Sequence, residues 1–255
     1  MKPSRKTVGD FDVRVWSGGA GAPVLYLHGF EQHPGAAPFL ERLGLTHEVL
    51  APECPGYGSS TGFERLHDIH DLILYYRSLV ESWGRGPLDV IGHSLGGMFA
   101  AELAVLAPQL VRKLVLVSPY GLWVDETPLA DPFILMPDAF AKAKWHDPSL
   151  AANETSAFDL ADGDSAANYR TINLTTASKF MWPIPDRGLS RRIAYVSAPT
   201  LVIHGESDGL VPPAYEAAWA AALPKVKTLR IANAGHMSMV EAEDAFVAAV
   251  NGFLG

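Results

Sequence analysis

The pentapeptide Gly92-His93-Ser94-Leu95-Gly96 stands directly between a strand-like apolar run, Leu88-Asp89-Val90-Ile91, and a helix-like run from Met98 to Leu106. A chain passes from strand to helix over so few residues only by turning back sharply. Such a turn strains the residue at its apex and leaves no room for Cβ atoms at the flanking positions. Glycine at 92 and 96 meets that demand, and Ser94 is then the residue whose side chain points outward. A Gly-x-Ser-x-Gly turn in strand–turn–helix context presents a serine hydroxyl as a nucleophile. It also constrains the fold, because a buried strand feeding a helix in this way is a building unit of α/β sheets.

The rest of the chain agrees with that unit. Phe11 to Trp16 alternates with period two, as a half-buried strand does, whereas Val24 to Leu27 is a continuous apolar run suited to a strand covered on both faces. A short helix is expected over Ala37 to Leu43 and a strand at Glu48-Val49-Leu50. Past the turn-rich Pro52-Glu53-Cys54-Pro55-Gly56-Tyr57-Gly58, apolar residues at 69, 72, 73, 76, 79, 80 and 83 predict a helix near Leu66 to Trp83. Lys113 to Val117 is the next strand. From about Tyr120 to Arg192 the pattern changes to scattered aromatics, helical fragments and prolines at 128, 132, 137, 148, 183 and 185. Alternation then resumes with a strand at Thr200 to Ile203, a helix at Ala214 to Ala222, a strand at Thr228 to Ile231 and a helix at Ala242 to Phe253. The series predicts a parallel sheet with helices on both faces. With 255 residues and 48% hydrophobic content, one domain is expected: a core of residues 1–119 and 193–255, with 120–192 inserted.

A formal charge of −8, with no basic cluster larger than pairs such as Arg191-Arg192, argues against nucleic acid or an anionic membrane surface as partner. The single cysteine, Cys54, excludes an intramolecular disulfide and reads as a small apolar filler. Met1 to Asp10 is polar, unlike a secretory signal, and no run approaches the roughly 20 apolar residues of a spanning helix. The expectation is a cytoplasmic protein, as a monomer or homodimer.

A neutral serine hydroxyl needs a base to take its proton and a carboxylate to orient that base. Asp208, in Gly205-Glu206-Ser207-Asp208-Gly209, and His236, in Ala234-Gly235-His236-Met237, each follow a predicted strand and so fall on the same sheet edge. In an open α/β sheet that edge is where ligands bind. Glu206 and Asp125 are rival acids; the first lies close to its strand and the second several residues beyond its own. His67, His70 and Asp71 share a helix face, but an acidic, solvated first turn accounts for them and no metal is expected.

These motifs together resemble the α/β-hydrolase superfamily over nearly the whole length. The resemblance rests on Leu27-His28-Gly29-Phe30, Pro55-Gly56-Tyr57-Gly58-Ser59, the serine turn, Pro199-Thr200-Leu201-Val202-Ile203-His204-Gly205 with Asp208 and Val211-Pro212, and Ala234-Gly235-His236. It implies an eight-stranded, mostly parallel sheet and a helical lid at 120–192. It also implies a triad of Ser94, Asp208 and His236, and an oxyanion hole from the backbone N–H groups of Phe30 and Leu95. His28 and His93 are expected to brace loops, and Glu53, where many relatives have aspartate, concerns loop packing. The apolar inventory of the insertion suggests a small to medium apolar ester as substrate, contacted by Phe30, Phe140, Trp145, Phe180, Trp182 and Met237. No cofactor is needed for cleavage through an acyl-enzyme. Serine at the turn disfavours haloalkane dehalogenases and epoxide hydrolases, which resemble this fold but carry aspartate there. Carbon–carbon bond hydrolases of ring-cleavage products remain the main alternative, although they commonly carry Asn before the nucleophile and Trp after the histidine, where this chain has His93 and Met237. Lactonase, thioesterase and acyltransferase chemistry stay open, as does a receptor or carrier that binds a small ligand without turnover.

Overall fold

Strands with alternating or continuous apolar runs need partners on their edges and cover on their faces, and the computed structural model, which describes residues 1–158 and 163–255, supplies both. Eight strands form one sheet: β1 (Lys2–Val8), β2 (Phe11–Gly18), β3 (Ala22–Leu27), β4 (His47–Pro52), β5 (Leu88–His93), β6 (Val111–Val117), β7 (Thr200–Gly205) and β8 (Val226–Ile231). Their spatial order is β1-β2-β4-β3-β5-β6-β7-β8. The β1/β2 and β2/β4 pairs are antiparallel and every other pair is parallel. β5, which delivers Ser94, is therefore central.

Period-two geometry explains the unbroken apolar runs. Leu25, Leu27, Val90, Leu114, Leu116 and Val202 point to one face, beneath α2 (Ile69–Trp83), α3 (Leu95–Leu106) and α6 (Ala214–Ala222). Their sequence neighbours Val24, Tyr26, Ile91, Val115, Leu201 and Ile203 point to the other, beneath α1 (Pro38–Leu43) and a C-terminal helix at Glu243–Leu254. A strand buried on both faces cannot alternate polar and apolar residues, because each fully covered Leu, Ile or Val is worth about 1.5–3 kcal/mol.

β1 has no counterpart among the strands expected from periodicity. Its Lys2, Arg5 and Lys6 carry no apolar alternation, yet the strand pairs with β2 from Lys2 opposite Ser17 to Val8 opposite Phe11. An edge strand needs only main-chain partners, and charge along it guards the open edge. α2 starts at Ile69 rather than Leu66, because the Asp68 carboxylate caps it by accepting from the N–H groups of His70 (2.8 Å) and Asp71 (3.1 Å). Asp71 in turn accepts from the N–H of His67 at 2.7 Å, so the His67, His70 and Asp71 group forms a helix start.

Between β6 and β7 no strand occurs among the described residues. This stretch carries α4 (Pro137–Lys144), a 3₁₀ segment (Pro148–Asn153) and α5 (Gly163–Met181); residues 159–162 of the expected insertion lie outside the described residues. α5 is stitched to the loop after β4: Asn173 accepts from the Gly58 N–H at 2.8 Å, and the Thr176 hydroxyl donates to the Gly56 carbonyl at 2.9 Å. That loop holds Glu53, buried and paired with Arg14 at 2.9 Å, with the Ser60 hydroxyl donating to it at 2.6 Å. The return to β7 is tied to α3 by the Arg192–Glu102 ion pair. No helix among the described residues is long and apolar enough to cross a membrane.

Candidate active site

β5 ends at His93 and α3 begins at Leu95, leaving Ser94 alone at the turn with φ 58° and ψ −122°. That strained backbone is held by contact. A Cβ on Gly96 would lie 2.2 Å from the Leu27 carbonyl oxygen, and one on Gly92 would lie 2.3 Å from that of Gly96. Neither position tolerates a side chain without the backbone moving. The Ser94 N–H donates to the Val117 carbonyl at 2.8 Å, fixing the turn to β6.

The loop after β8 brings His236 to this serine. The Ser94 hydroxyl lies 2.9 Å from His236 Nε2, and His236 Nδ1 lies 2.9 Å from Asp208 Oδ2. The second contact sets the tautomer: Nδ1 donates to the carboxylate, which leaves Nε2 to accept from the hydroxyl. Asp208 is itself fixed by the N–H groups of Leu210 (3.0 Å) and Val211 (2.9 Å) on its other oxygen. All three side chains are buried. The rivals stay outside: Asp125 is exposed and accepts from the Trp123 indole, and Glu206 is exposed.

Several groups that the sequence left unassigned or half-assigned hold this arrangement. The His236 N–H donates to the Lys144 carbonyl at 2.8 Å, and its carbonyl lies 3.0 Å from His93 Nε2. Glu241, on the short helix α7 (Ser238–Glu241) that precedes the C-terminal helix α8 (Glu243–Leu254), accepts from the N–H groups of Gly235 (2.6 Å), His146 (2.8 Å) and Asp147 (3.1 Å). His28 Nε2 accepts from the Cys54 N–H at 2.9 Å, so its Nδ1 carries the proton and donates to the Gly29 carbonyl at 2.8 Å. Burial pushes His28 down to about 4 and lowers His93 as well, so both braces are neutral imidazoles. Burial also pushes the Cys54 thiol up to about 12, which leaves it unreactive. Gly29 passes so close to the turn that its Cβ would meet His93 Nδ1 at 2.9 Å. Among the described residues no group of three His, Cys, Asp or Glu side chains is gathered as a metal site would need.

A cavity of about 440 Å³ opens onto Ser94 and His236, and Phe30 and Met237 line it as expected. Four other expected contacts do not. Phe140 stands behind Phe30, its ring centroid 6.2 Å away and nearly perpendicular. Trp145 is buried in the hydrophobic cluster on the α1/α8 face of the sheet, and Phe180 packs against Phe99 of α3 at 5.3 Å. Trp182 is 59% exposed and borders a separate cavity of about 90 Å³. Phe140, Trp145 and Phe180 are taken up in packing the stretch between β6 and β7 against the rest of the chain, so they are not free to form the wall, and Trp182 faces elsewhere. The wall comes instead from Ala152–Thr155 and from the loop after β3, with Glu31, Glu154 and Glu243 among its residues. Sequence reading missed them because an isolated glutamate in a loop has no periodicity to mark it.

The profile of the alpha/beta hydrolase family matches residues 24–249, which include every element of the site just described. The chain belongs to the alpha/beta hydrolase family. Within that family it is 28% identical to the dihydrolipoyllysine-residue acetyltransferase component of an acetoin cleaving system from Cupriavidus necator, over 93% of this chain but only 65% of that one. It is 29% identical to a pimeloyl-[acyl-carrier protein] methyl ester esterase from Xanthomonas oryzae pv. oryzae, covering 91% of this chain and 97% of the relative. Among solved structures, a meta-cleavage product hydrolase from Pseudomonas fluorescens superposes with a TM-score of 0.79 at 18% identity, over 98% of this chain and 97% of that one. That likeness is one of fold.

Proposed function

We propose that this alpha/beta hydrolase cleaves small to medium carboxylic esters through an acyl-enzyme. The observation that carries the reading is the continuous chain from Asp208 through His236 to Ser94, with both contacts at 2.9 Å. In this reading Ser94 attacks the ester carbonyl while His236 Nε2 takes its proton, and Asp208 stabilises the imidazolium. His236 then gives the proton to the departing alkoxide, and water attacks the acyl-enzyme with His236 as base. The negative oxygen is received by two N–H groups. Leu95 is the first residue of α3, where no intrahelical acceptor exists, and the Phe30 N–H has no acceptor among the described residues. Each such donor is worth on the order of 3 kcal/mol in the transition state. The segment from about 120 to 192 serves as a lid, closing the cavity through Ala152–Thr155.

The esterase among the relatives supports this reading, and the meta-cleavage product hydrolase fold keeps carbon–carbon bond cleavage as the alternative. His93 and Met237 favour the ester reading, since ring-cleavage hydrolases commonly carry Asn and Trp at those places. The test is stoichiometric labelling of Ser94 by an alkyl phosphonate, absent in Ser94→Ala, together with turnover of 4-nitrophenyl acetate and butyrate. Turnover of a ring-cleavage dienoate with no ester hydrolysis would replace ester cleavage by the carbon–carbon reading. Labelling without turnover on either panel would point to a ligand-binding protein.

A further inference from the structure

Lys144 is only 4% exposed, and its ammonium serves two carboxylates at once. It donates to Glu154 at 2.8 and 2.9 Å and pairs with Glu31, while stacking 5.1 Å above the Trp145 ring. Glu31 and Glu154 both line the cavity that reaches Ser94, whereas Lys144 sits behind the wall. One buried positive charge against two negative ones leaves the network with a formal charge of −1, and the exposed Arg170 adds only the weakest of the attractions on Glu154. Glu31 Oε1 accepts no hydrogen bond among the described residues, and Glu31 directly follows Phe30, one of the two proposed oxyanion donors. The third carboxylate of the lining, Glu243, shares Arg42 with Asp244 outside the cavity. No Lys or Arg lines the cavity among the described residues.

A single Glu–Lys pair would already tie the insertion to the loop after β3. A second buried carboxylate adds desolvation cost, visible in Glu154, which burial pushes above the ordinary carboxylate range. Its return lies in the field it sets inside the cavity. Resting on the hydrolase reading, we propose that the Glu31–Lys144–Glu154 network makes the pocket charge-selective: it accepts ester substrates whose pocket-bound part is neutral or cationic and turns away those bearing a further carboxylate. At an effective dielectric of about 20, one uncompensated charge about 8 Å from a substrate carboxylate disfavours it by roughly thirtyfold. This is a specificity role, since the network touches the substrate's distal part and not the reacting atoms.

The experiment compares kcat/KM for three 4-nitrophenyl esters of similar length: butyrate, hydrogen glutarate and 4-(trimethylammonio)butyrate. After subtraction of each ester's enzyme-free rate at the assay pH, which for the glutarate includes attack by its own carboxylate, the wild type should favour the neutral or cationic ester over the anionic one by about tenfold or more. Glu31→Gln and Glu154→Gln should each narrow the neutral-to-anionic ratio by about tenfold. A flat wild-type ratio, or one that neither substitution moves, overturns the proposal while butyrate turnover and Ser94 labelling leave the hydrolase reading standing. Absence of both turnover and labelling sinks that reading instead. Charge preference is then read directly by ligand-observed NMR with butyltrimethylammonium and pentanoate. Tighter cation binding that Glu31→Gln weakens upholds the selectivity; equal binding, or preference for the anion, overturns it.

Discussion

On one side of the Ser94–His236 contact, the elbow between β5 and α3 is fixed by backbone atoms touching one another, with Gly96 against Leu27 and Gly92 against Gly96. On the other side, the loop after β8 is fixed by polar groups: Lys144, Glu241 and His93 hold its main chain, and Asp208 holds the imidazole. The serine turn is thus indifferent to protons but intolerant of a single added carbon. The histidine loop is close-packed as well, since a Cβ on Gly235 would lie 2.5 Å from the Lys144 carbonyl oxygen, and it depends in addition on which groups carry charge and which stay neutral. This alpha/beta hydrolase combines a steric anchor for Ser94 with an added electrostatic one for His236.

The largest expected effects come from cutting the contact itself. Ser94→Ala and His236→Ala should each lower kcat on 4-nitrophenyl butyrate by about 10⁴-fold or more, and Asp208→Asn by about 10³- to 10⁴-fold, with thermal melting little changed. Asp125→Asn is expected to stay within about twofold; the opposite pattern would reassign the acid. The steric side is broken by Gly96→Ala, which should cost about 3 kcal/mol in urea unfolding or abolish folding, because the atoms in its way are main-chain oxygens.

Acid acts on the buried neutral imidazoles around the contact, in the loop after β3 and at the end of β7. His28 titrates at about 4 in the native protein against an ordinary 6.5, so between those values the unfolded chain binds a proton that the native imidazole refuses. Stability should therefore fall as pH drops from about 6.5 and level off below about 4, by up to about 3 kcal/mol from this group, as measured by urea unfolding at stepped pH. His204, also lowered to about 4 by burial, adds to the same slope. A stability profile flat across that window would mean that these imidazoles take up protons in place. Glu241→Ala removes the acceptor of three N–H groups and should cost about 2 kcal/mol with a several-fold loss in kcat. His67→Ala and chelators stand at the bottom of the scale, with turnover expected within about twofold.

Much of this comparison can be read from the chain. The elbow was visible because its steric demand falls within five consecutive residues, and the helix at Ala214–Ala222 begins and ends where its pattern does. Strand ends marked Asp208 and His236 as candidates, but only the family resemblance set Asp208 above Glu206 and Asp125. β1 was not legible, since main-chain pairing at an edge leaves no hydrophobic trace. The pocket was misread for a related reason. Phe140, Trp145, Phe180 and Trp182 look like a substrate wall in a sequence, but their apolar surface goes into packing or to another face.

What the sequence determined by itself is the alternation of strand and helix, the serine turn and the order of the three residues that meet there, because periodicity and turn sterics act over a few consecutive residues. What only the tertiary structure decided is the shape and charge of the cavity. Glu31, Lys144 and Glu154 are scattered along the chain, and a single buried ammonium shared by two carboxylates exists only once folding has brought them together and excluded the water that would screen them.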